Sequence, residues 1–372
     1  MKIISLFNNK GGVGKTTLAY HLACSLAELN YKVLMLDLDP QCNLTICSMN
    51  EEELHKIWKE EDSFIDGFEE SKNKADKEKY EEINSHTRTI HYLLKPTEEG
   101  TGELEKLPPP KNIRKNLDLI PGRITLHMYE YKISERWSGV YQGDPLSIRT
   151  ITKIRTLAIK YSEIYNYDFV IIDTSPSLGA LNKVIISTVD GFLIPCLPDM
   201  FSLYGIRNIG KALSQWKSEL ETVYKLLSDE KRQYFPKKFV QFLGYTIYNA
   251  KKYKGKTEWD LALMHYNYAK QIPVTIKKCI ATEVREHLTD EMISDPIGGT
   301  SVMHTHNTFP NASQKYKLPI WDIPKCHNLD LAENERASIL GNISRYEDTK
   351  QAYKTFTEDL LNRIKTITLI PK

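Results

Sequence analysis

The chain has few cysteines, and no two of them stand at the C-x-x-C spacing that many metal sites and redox proteins use. Its 372 residues include six cysteines, at positions 24, 42, 47, 196, 279 and 326. Scattered single thiols are typical of buried cysteines in a reducing compartment. The absence of paired cysteines also argues against an iron–sulfur cluster. We therefore expect buried, unpaired cysteines in a cytoplasmic protein.

The sequence also lacks a long hydrophobic run. None approaches the ~20 apolar residues that a membrane-spanning helix needs. The first apolar strand begins at Lys2, so we expect no signal peptide. Residues 366–372 are rich in β-branched side chains and contain a proline, unlike the basic amphipathic helix of a peripheral membrane anchor. The sequence thus predicts no membrane partner.

Positive and negative charges are nearly balanced over the whole chain. The formal net charge is +2, with 41% apolar and 26% charged residues, which is typical of an ordinary soluble protein. Any affinity for nucleic acid must therefore come from a local excess of positive charge. The length would fit one large α/β domain or two smaller ones. Because no internal repeat is visible, we expect a single domain over residues 1–372.

A glycine-rich loop follows the first apolar run, Ile3–Phe7. The loop comprises Lys10, Gly11, Gly12, Val13, Gly14, Lys15, Thr16 and Thr17. Its three glycines would let backbone N–H groups turn toward anionic oxygens without a side chain in the way. The amphipathic run that follows would point the positive end of a helix dipole at the same place. The pattern therefore predicts a strand, a phosphate-binding loop and a helix, in that order.

Two side chains of this loop have the chemistry that a nucleoside triphosphate needs. Lys15 would place a positive charge at the β- and γ-phosphates, and the Thr16 hydroxyl could ligate Mg²⁺. The general pattern G-x-x-x-x-G-K-[ST] would have glycine at position 9, where this chain has Asn9. A second lysine, Lys10, stands at the mouth of the loop. This departure from the general pattern restricts the possible protein families more than the match to the pattern does.

Carboxylates end two further apolar runs. Asp37 and Asp39 lie near the end of Lys32–Gln41, and Asp173 lies near the end of Tyr167–Pro176. In an open parallel sheet, ligands lie beyond the carboxyl ends of the strands, so these carboxylates and the glycine-rich loop should meet at one edge. Each aspartate of the first pair has a simpler alternative. The role of Asp37 could be simply to cap a helix. The role of Asp39, which precedes a proline, could be simply to form a turn.

The order of the elements predicts the fold class. Apolar runs at 117–120 and 239–248 read as further strands, and residues 16–30, 148–165 and 353–364 have helical periodicity. Strands that alternate with helices form parallel sheets with helices on both faces. We therefore expect an α/β fold with a doubly wound, mostly parallel sheet.

Three segments together resemble the ParA family of ATPases, which drive the segregation of DNA and of cargo and belong with MinD among the deviant Walker A proteins. They are residues 10–17, Asp37–Asn43 and Ile172–Gly179. Weaker similarity is present at Leu117–Gly122 and Asp190–Gly205. The resemblance extends from residue 1 to about residue 210 and fades beyond it.

The resemblance implies a deviant Walker A P-loop NTPase fold with ATP and Mg²⁺ as cofactors. ATP would bind with its triphosphate in the loop of residues 10–17. Thr16 would hold Mg²⁺ directly, and Asp37 and Asp173 would hold it through water. Asp39 would orient the water that attacks the γ-phosphate. Catalysis would then consist mainly of positioning and of neutralising charge.

By the same resemblance, Lys10 would reach across a two-fold interface to the phosphates of a second subunit. ATP would thus hold a sandwich homodimer together, and hydrolysis would release it. Asn249 and residues 304–306 fall where the family builds its adenine pocket. His304 and His306 alone would also suggest a metal site, but no third ligand stands at a useful spacing.

Residues 49–86 have no counterpart that we recognise in the family. The stretch is dense in charged residues and has few apolar anchors, which favours a helical or flexible surface insertion. Its residues could contact a partner protein or could simply be a solvated excursion from the domain.

A second local feature is a basic stretch at residues 231–280, which holds eleven lysines and arginines, two acidic residues and several interleaved tyrosines. Such clustering is typical of a surface for nucleic acid or for an acidic partner, although a solvated basic face would look the same. No helix-turn-helix or zinc pattern is present, so we expect contacts to DNA without sequence preference. The candidate DNA-binding residues are Lys251, Lys252, Lys254, Lys256, Lys277 and Lys278.

These features predict a Mg²⁺-dependent ATPase that acts as a DNA-associated switch in plasmid or chromosome partition. Its partners would be a second copy of itself, non-specific DNA and a ParB-like or other activating protein, and it would be cytoplasmic and associated with the nucleoid. The alternative is an ATP-gated adaptor that positions a protein cargo or serves a phage-defence system. The unusual insertion at 49–86 favours such a specialised partner.

Overall fold

The computed structural model describes residues 1–233, 235–236, 238–250, 255, 257–299, 301–304, 308–326 and 333–369. Within this part of the chain, eight strands form one sheet in the order β3-β4-β2-β5-β1-β6-β7-β8. The strands are β1 (Lys2–Leu6), β2 (Val33–Leu38), β3 (Lys111–Arg114), β4 (Leu117–Ile120), β5 (Phe169–Thr174), β6 (Gly191–Cys196), β7 (Gln241–Ala250) and β8 (Ser301–His304).

Neighbouring strands are parallel except at one edge, where β3 pairs antiparallel with β4. The mostly parallel α/β fold class is therefore confirmed. The register of β2 against β5 places Asp37 directly opposite Asp173. The sheet thus brings two of the predicted site carboxylates side by side.

Helices connect most of these strands. In the first half of the chain they are α1 (Lys15–Glu28), α2 (Asn43–Ser48), α3 (Glu51–Asp66), α4 (Phe68–Lys74), α5 (Lys77–Asn84), α6 (Ile90–Glu99), α7 (His127–Tyr141), α8 (Pro145–Tyr165) and α9 (Ala180–Thr188). In the second half they are α10 (Met200–Leu226), α11 (Asp229–Arg232), α12 (Leu263–Ala269), α13 (Ile272–Cys279), α14 (Thr282–Arg285), α15 (Asp290–Ser294), α16 (Thr308–Tyr316), α17 (Glu333–Leu340) and α18 (Ile343–Leu369). Short 3₁₀ helices lie at Ile124–Leu126 and Ile320–Lys325. In this part of the chain, no helix combines the length and the apolar composition needed to cross a membrane.

The sheet separates two hydrophobic cores. Adjacent side chains of a strand point to opposite faces, so Ile3 joins one core and Ile4 the other. Helices α1 and α18 cover one face, and helices α6–α10 cover the other. The predicted helix at 353–364 is confirmed within α18, which begins ten residues earlier. This layering buries the sheet on both sides and leaves its carboxyl edge free for a site.

The insertion at 49–86 is helical, but its description as a solvated excursion is wrong. Helix α3 buries Leu54, Ile57, Phe64 and Ile65, and α4 buries Phe68. These side chains recur at helical spacing and join the cores of the domain. The many charges of the stretch lie on the opposite, solvated side of the helices. Because charged residues dominate the composition of this stretch, its narrow apolar face is not evident from the sequence alone.

One carboxylate of the insertion is buried as deeply as the apolar residues. Glu61 is 0% exposed and accepts hydrogen bonds from the backbone N–H (2.7 Å) and the hydroxyl (2.6 Å) of Thr89. Burial raises the pKa of Glu61 to about 7, although the bonds from Thr89 and the charge of Arg123 act in the opposite direction. In the unfolded chain the same carboxyl would titrate near pH 4.5.

This difference predicts that stability falls as pH rises. Between pH values of about 4.5 and 7 the folded state holds a proton on Glu61 that the unfolded state has lost, so the free energy of unfolding decreases toward neutral pH. Glu61→Gln should remove this part of the dependence, so that the difference in Tm between acidic and neutral pH shrinks by about 2 °C or more. Thermal unfolding followed by circular dichroism measures it. The exposed Glu81→Gln is the control, and an unchanged pH dependence in Glu61→Gln would contradict the prediction.

Candidate active site at the carboxyl edge of the sheet

The glycine-rich loop runs from the end of β1 to the start of α1. Gly12 and Gly14 have φ values of 70° and 78°, in the left-handed region that favours glycine. A Cβ atom at Gly14 would lie 2.4 Å from ring atoms of Tyr248, which is closer than any real contact. The Tyr248 ring, from β7, therefore packs directly on the loop. The loop has the backbone shape that exposes N–H groups to an anion.

Lys15 lies at the centre of this loop. Its Nζ donates hydrogen bonds to the carbonyl oxygens of Asn8 (3.1 Å) and Lys10 (3.2 Å). The side chain is buried, and burial lowers the pKa of Lys15, against the opposing charges of Asp173 and Asp39. Two carbonyl oxygens thus hold the ammonium group of Lys15 beside the loop, where it could meet an anion that the loop binds.

Asp173 faces the first turn of α1. Its Oδ2 accepts a hydrogen bond of 2.7 Å from the Thr16 hydroxyl, and its Oδ1 is buried without a partner among the described residues. Burial, together with the charge of Asp37, raises the pKa of Asp173 to about 8. A buried carboxylate oxygen that lacks a donor is costly unless a cation lies against it. The pair of Thr16 and Asp173 therefore fits a magnesium site.

The rest of the donor set agrees with a hard cation that takes few protein ligands. In the described part of the chain, no group of three or more His, Cys, Asp or Glu side chains could hold a metal by itself. Mg²⁺ is usually bound through one or two carboxylates, with the remaining positions filled by water and substrate phosphates. The hydroxyl of Thr16 and the carboxylates of Asp173 and Asp37 match that description.

Asp37 is fully buried beside Asp173. Its Oδ2 accepts hydrogen bonds from the Thr45 backbone N–H (2.8 Å) and hydroxyl (2.6 Å), and its Oδ1 accepts one from the Asp39 N–H (3.3 Å). Because Thr45 lies in the first turn of α2, Asp37 also caps that helix, as the simpler alternative predicts. Burial raises the pKa of Asp37 to about 6, although the bonds from Thr45 favour the charged form.

Asp39 lies at the mouth of the site, 5% exposed. Its Oδ1 accepts a hydrogen bond of 3.0 Å from the Gln41 N–H, and its carbonyl oxygen accepts one of 2.8 Å from the Cys42 N–H. Asp39 thus takes part in the turn that the following proline predicts.

Lys10 has an internal partner that the sequence did not indicate. Its Nζ forms an ion pair with Asp199 and lies 5.4 Å from the centroid of the Phe201 ring. Asp199 caps α10 by accepting a hydrogen bond of 2.8 Å from the Ser202 N–H. Burial alone would raise the pKa of Asp199, but Lys10 and Ser202 hold it below its usual value. Within one chain, Lys10 therefore points to α10 and not toward its own phosphate loop.

Several other residues shape the site without having been predicted. Asn8 donates from Nδ2 to the Pro195 carbonyl oxygen (2.8 Å) and accepts from the Lys10 N–H (3.0 Å), which fixes the start of the loop. Tyr248 packs on Gly14, and Thr45 donates hydrogen bonds to Asp37. The position of Asn8 between a strand and a glycine-rich loop is a signal that could have found it. Tyr248 is distant in sequence from the loop, and Thr45, although close to Asp37 in sequence, lies in no pattern that marks it as a partner of that carboxylate.

Other predicted residues lie wholly or partly outside the described part of the chain. Lys251, Lys252, Lys254 and Lys256 lie outside it, as do Thr305 and His306. Asn249 and His304 lie in β7 and β8, but their side chains are not described. Lys277 and Lys278 are described and lie in the last turn of α13, where Lys277 Nζ lies 2.8 Å from a carboxylate oxygen of Asp290.

Large exposed apolar side chains lie in the segments that follow the strands at the site. They follow the carboxyl ends of β4, β5 and β6 and are 38–70% exposed. This apolar collar consists of Ile124, Met128, Tyr131, Leu178, Met200, Phe201 and Tyr204. Exposed apolar side chains concentrated at one edge of a sheet are a candidate surface for a protein partner.

Comparison with known proteins agrees with this geometry. The family model described as AAA domain, AAA_31, matches residues 1–226. The sporulation initiation inhibitor protein Soj of Bacillus subtilis is 30% identical over 224 residues, which cover 59% of this chain and 68% of Soj. The uncharacterized protein MJECL24 of Methanocaldococcus jannaschii is 32% identical over 209 residues, which cover 56% of this chain and 63% of that protein. This chain thus spans less than two thirds of the length of the M. jannaschii relative.

Solved structures show the same fold. Protein DIP2308 of Corynebacterium diphtheriae superposes with a TM-score of 0.60 at 22% identity, over 87% of this chain and 98% of that one. The ParA of pNOB8, solved bound to nonspecific DNA, superposes with a TM-score of 0.51 at 18% identity, over 98% of both chains. The resemblance to ParA-type proteins is therefore confirmed, and this chain belongs to the AAA domain family AAA_31, among the ParA-type P-loop NTPases.

Proposed function

We propose that this protein is a Mg²⁺-dependent ATPase that works as a DNA-associated switch in plasmid or chromosome partition, with residues 1–372 acting as one ATPase domain. The observation that carries the proposal is the arrangement around the glycine-rich loop. Lys15 is directed into the loop by two carbonyl groups, and the Thr16 hydroxyl meets a buried carboxylate, Asp173, that has a free oxygen. Together they would supply the cation and the metal ligands that a triphosphate requires.

Each residue would have a distinct role in the reaction. The loop from Gly11 to Thr17 would bind the phosphates through its N–H groups, and Lys15 would neutralise the β- and γ-phosphates. Thr16 would hold Mg²⁺ directly, and Asp37 and Asp173 would do so through water. The metal would supply charge neutralisation at the β- and γ-phosphate oxygens. Asp39, at the mouth of the site, would orient the attacking water.

The proposal includes an ATP-dependent homodimer. The residues of the apolar collar follow the carboxyl ends of β4, β5 and β6, the edge where the triphosphate would bind. A second copy seated there would cover both the collar and the nucleotide. Lys10 would then leave Asp199 and reach the phosphates of the second subunit. Hydrolysis would require the dimer and would also release it, which makes the protein a switch.

DNA and an activating protein would be the other partners. The pNOB8 ParA was solved bound to nonspecific DNA, and the B. subtilis relative is a sporulation initiation inhibitor. For this chain we propose DNA contacts through the lysines at 251–256 and through Lys277 and Lys278, which would place it on the nucleoid. A ParB-like protein would stimulate hydrolysis.

A specific observation supports a second candidate function, an ATP-gated adaptor for a protein cargo or a phage-defence system. The insertion at 49–86 is a packed part of the domain and contacts the turn beside Asp37 through Trp58. An element built so closely onto the site would suit a specialised partner. The two candidates differ in whether ATP controls binding to DNA.

The test of the proposed function measures DNA binding and phosphate release on the same protein. With Mg²⁺ and ATP, the parent should release phosphate and bind duplex DNA of any sequence more tightly than without nucleotide. Each phosphate contact should add about 0.9 to the slope of log K against log salt. Changing Lys251, Lys252 and Lys254 to Glu should weaken DNA binding and leave basal hydrolysis unchanged.

The matched control changes the same amount of charge elsewhere. Lys74, Lys77 and Lys79 are exposed lysines of the insertion, and their triple change to Glu should leave DNA binding intact. If the 251–254 variant binds DNA like the parent, those lysines form only a solvated face. If the parent hydrolyses ATP but shows no ATP-dependent DNA binding at low salt, the adaptor becomes the better account.

A further inference from the structure

Helix α3 of the insertion holds the turn that follows β4. The Trp58 indole N–H donates a hydrogen bond of 3.2 Å to the carbonyl oxygen of Gly122. In the other direction, Arg123 Nη1 donates one of 2.9 Å to the Trp58 carbonyl oxygen, and the guanidinium lies 5.8 Å from the Trp58 ring centroid. Helix α3 therefore contacts both Gly122 and Arg123 of this turn.

Two acidic side chains of α3 also contact Arg123. Arg123 Nη1 donates a hydrogen bond of 3.4 Å to Glu61 Oε2, and the guanidinium forms an ion pair with Asp62. Trp58, Glu61 and Asp62 are spaced three and four residues apart and so lie on one side of the helix. Arg123 is 6% exposed, and a buried guanidinium of this kind keeps its partners because leaving one unpaired would be strongly destabilising. Some acidic side chains of the insertion thus contact the turn, while most of its charged side chains face solvent.

Helix α6 fixes the same turn from a second direction. Thr89, which caps α6, donates to Glu61, and the next N–H, that of Ile90, donates to the Pro121 carbonyl oxygen at 2.8 Å. The turn at 121–123 is therefore held by two helices that meet at one buried carboxylate. Its position depends on the packing of the insertion.

On its other side, the turn forms a wall of the candidate metal site. The Gly122 N–H donates a hydrogen bond of 2.7 Å to the Thr45 hydroxyl, and that hydroxyl donates to Asp37. A Cβ atom at Gly122 would lie 3.0 Å from the Asp37 carboxyl group, so the backbone here lies against the carboxylate. A continuous series of hydrogen bonds joins Trp58, Gly122, Thr45 and Asp37.

We infer that the insertion positions Asp37 for Mg²⁺ through this series, with Trp58 and Arg123 as positioning residues. The inference rests on the proposed function, because it gives Asp37 a place at the metal. Groups that orient a metal-binding carboxylate typically change metal affinity by 10- to 100-fold when they are removed. Linkage is reciprocal, so Mg²⁺ bound with nucleotide should in turn stabilise the packing of α3 on the turn.

The test titrates Mg²⁺ against the parent and Trp58→Phe, with a fluorescent ATP analogue to report nucleotide binding. Phenylalanine keeps the ring and removes only the N–H that reaches Gly122. The Mg²⁺ concentration for half-maximal binding should rise roughly tenfold, while binding of the nucleotide without Mg²⁺ stays unchanged. The matched control is Trp321→Phe, because the Trp321 indole N–H makes a similar bond of 2.7 Å to Glu28, away from the turn.

A second readout does not depend on the nucleotide analogue. Mg²⁺ with ATP should change the tryptophan emission of the parent and of Trp321→Phe, and the part of the change that is missing in Trp58→Phe belongs to Trp58. Arg123→Lys, which cannot form the forked contact with Glu61 and Asp62, should shift the Mg²⁺ requirement in the same direction and serves if Trp58→Phe fails to fold.

The outcomes separate the inference from the proposed function. If Trp58→Phe and Arg123→Lys keep the Mg²⁺ requirement and the emission change of the parent, the inference is wrong. It is also wrong if they weaken nucleotide binding equally with and without Mg²⁺, because that pattern indicates a general loss of structure. If the parent itself binds no nucleotide with Mg²⁺, the proposed function fails.

Discussion

Lys15→Ala should abolish nucleotide binding, whereas Lys10→Ala should leave ATP binding to the monomer intact and prevent both dimerisation and hydrolysis. The physical reason lies in where each ammonium group is held. Nζ of Lys15 is inside the loop, within 3.1–3.2 Å of two carbonyl oxygens, so its removal takes away the cation that faces the phosphates. The ammonium group of Lys10 contacts Asp199 and Phe201. We therefore expect it to contribute little to ATP binding by a single chain.

Calorimetry with ATP and size-exclusion chromatography measure the two effects separately. Lys32→Ala is the control for loss of a positive charge, because Lys32 is exposed at the opposite end of β2. Equal loss of ATP affinity in the Lys10 and Lys15 variants would show that Lys10 acts within its own chain. The proposed trans-acting role of Lys10 would then be withdrawn.

The next largest effect is expected at Asp39. Asp39→Ala should still bind ATP and Mg²⁺ but hydrolyse ATP at least tenfold more slowly, which corresponds to a barrier about 1.4 kcal/mol higher. The carboxylate lies at the mouth of the site and is 5% exposed, which suits a group that orients water. Because binding would continue while turnover slows, the ATP-bound dimer should accumulate on size-exclusion chromatography.

A second substitution separates the charge of Asp39 from its turn. Asp39→Asn keeps an oxygen that can accept the hydrogen bond from the Gln41 N–H and removes the negative charge. If the charge orients the water, Asp39→Asn should be as slow as Asp39→Ala. If Asp39→Asn hydrolyses ATP at the rate of the parent, or if Asp39→Ala stays monomeric with ATP, Asp39 has only its role in the turn.

The parts of the site that the sequence predicted all come from strand ends. The apolar runs before Lys10, Asp37 and Asp173 identified three parallel strands, and parallel strands bring their carboxyl ends to one edge. In the structure, β2 pairs with β5, and this pairing places Asp37 beside Asp173. Local patterns were therefore enough to predict that the glycine-rich loop and these carboxylates lie at one edge of the sheet.

The residues that escaped prediction depend on tertiary contacts. The partner of Lys10 is Asp199, which is 189 residues away in sequence, and Tyr248 packs on Gly14 across a similar separation. No periodicity reports such pairs. The insertion escaped for another reason, because its charged residues outnumber the few apolar side chains that hold it to the domain. The antiparallel edge strand β3 is only four residues long, too short for a clear alternating pattern.

The ion pair between Lys10 and Asp199 also bears on the protein concentration at which chains would pair. A two-fold dimer of the proposed kind draws Lys10 away from Asp199 in both chains at once, so the penalty for parting one pair enters the dimerisation constant squared. Partly exposed ion pairs contribute about 0–1 kcal/mol. A value near 1 kcal/mol per chain would lower the dimerisation constant by about fivefold for each chain, and so by about thirtyfold for the dimer. In the proposed dimer, bound nucleotide would have to offset that difference before the two chains pair.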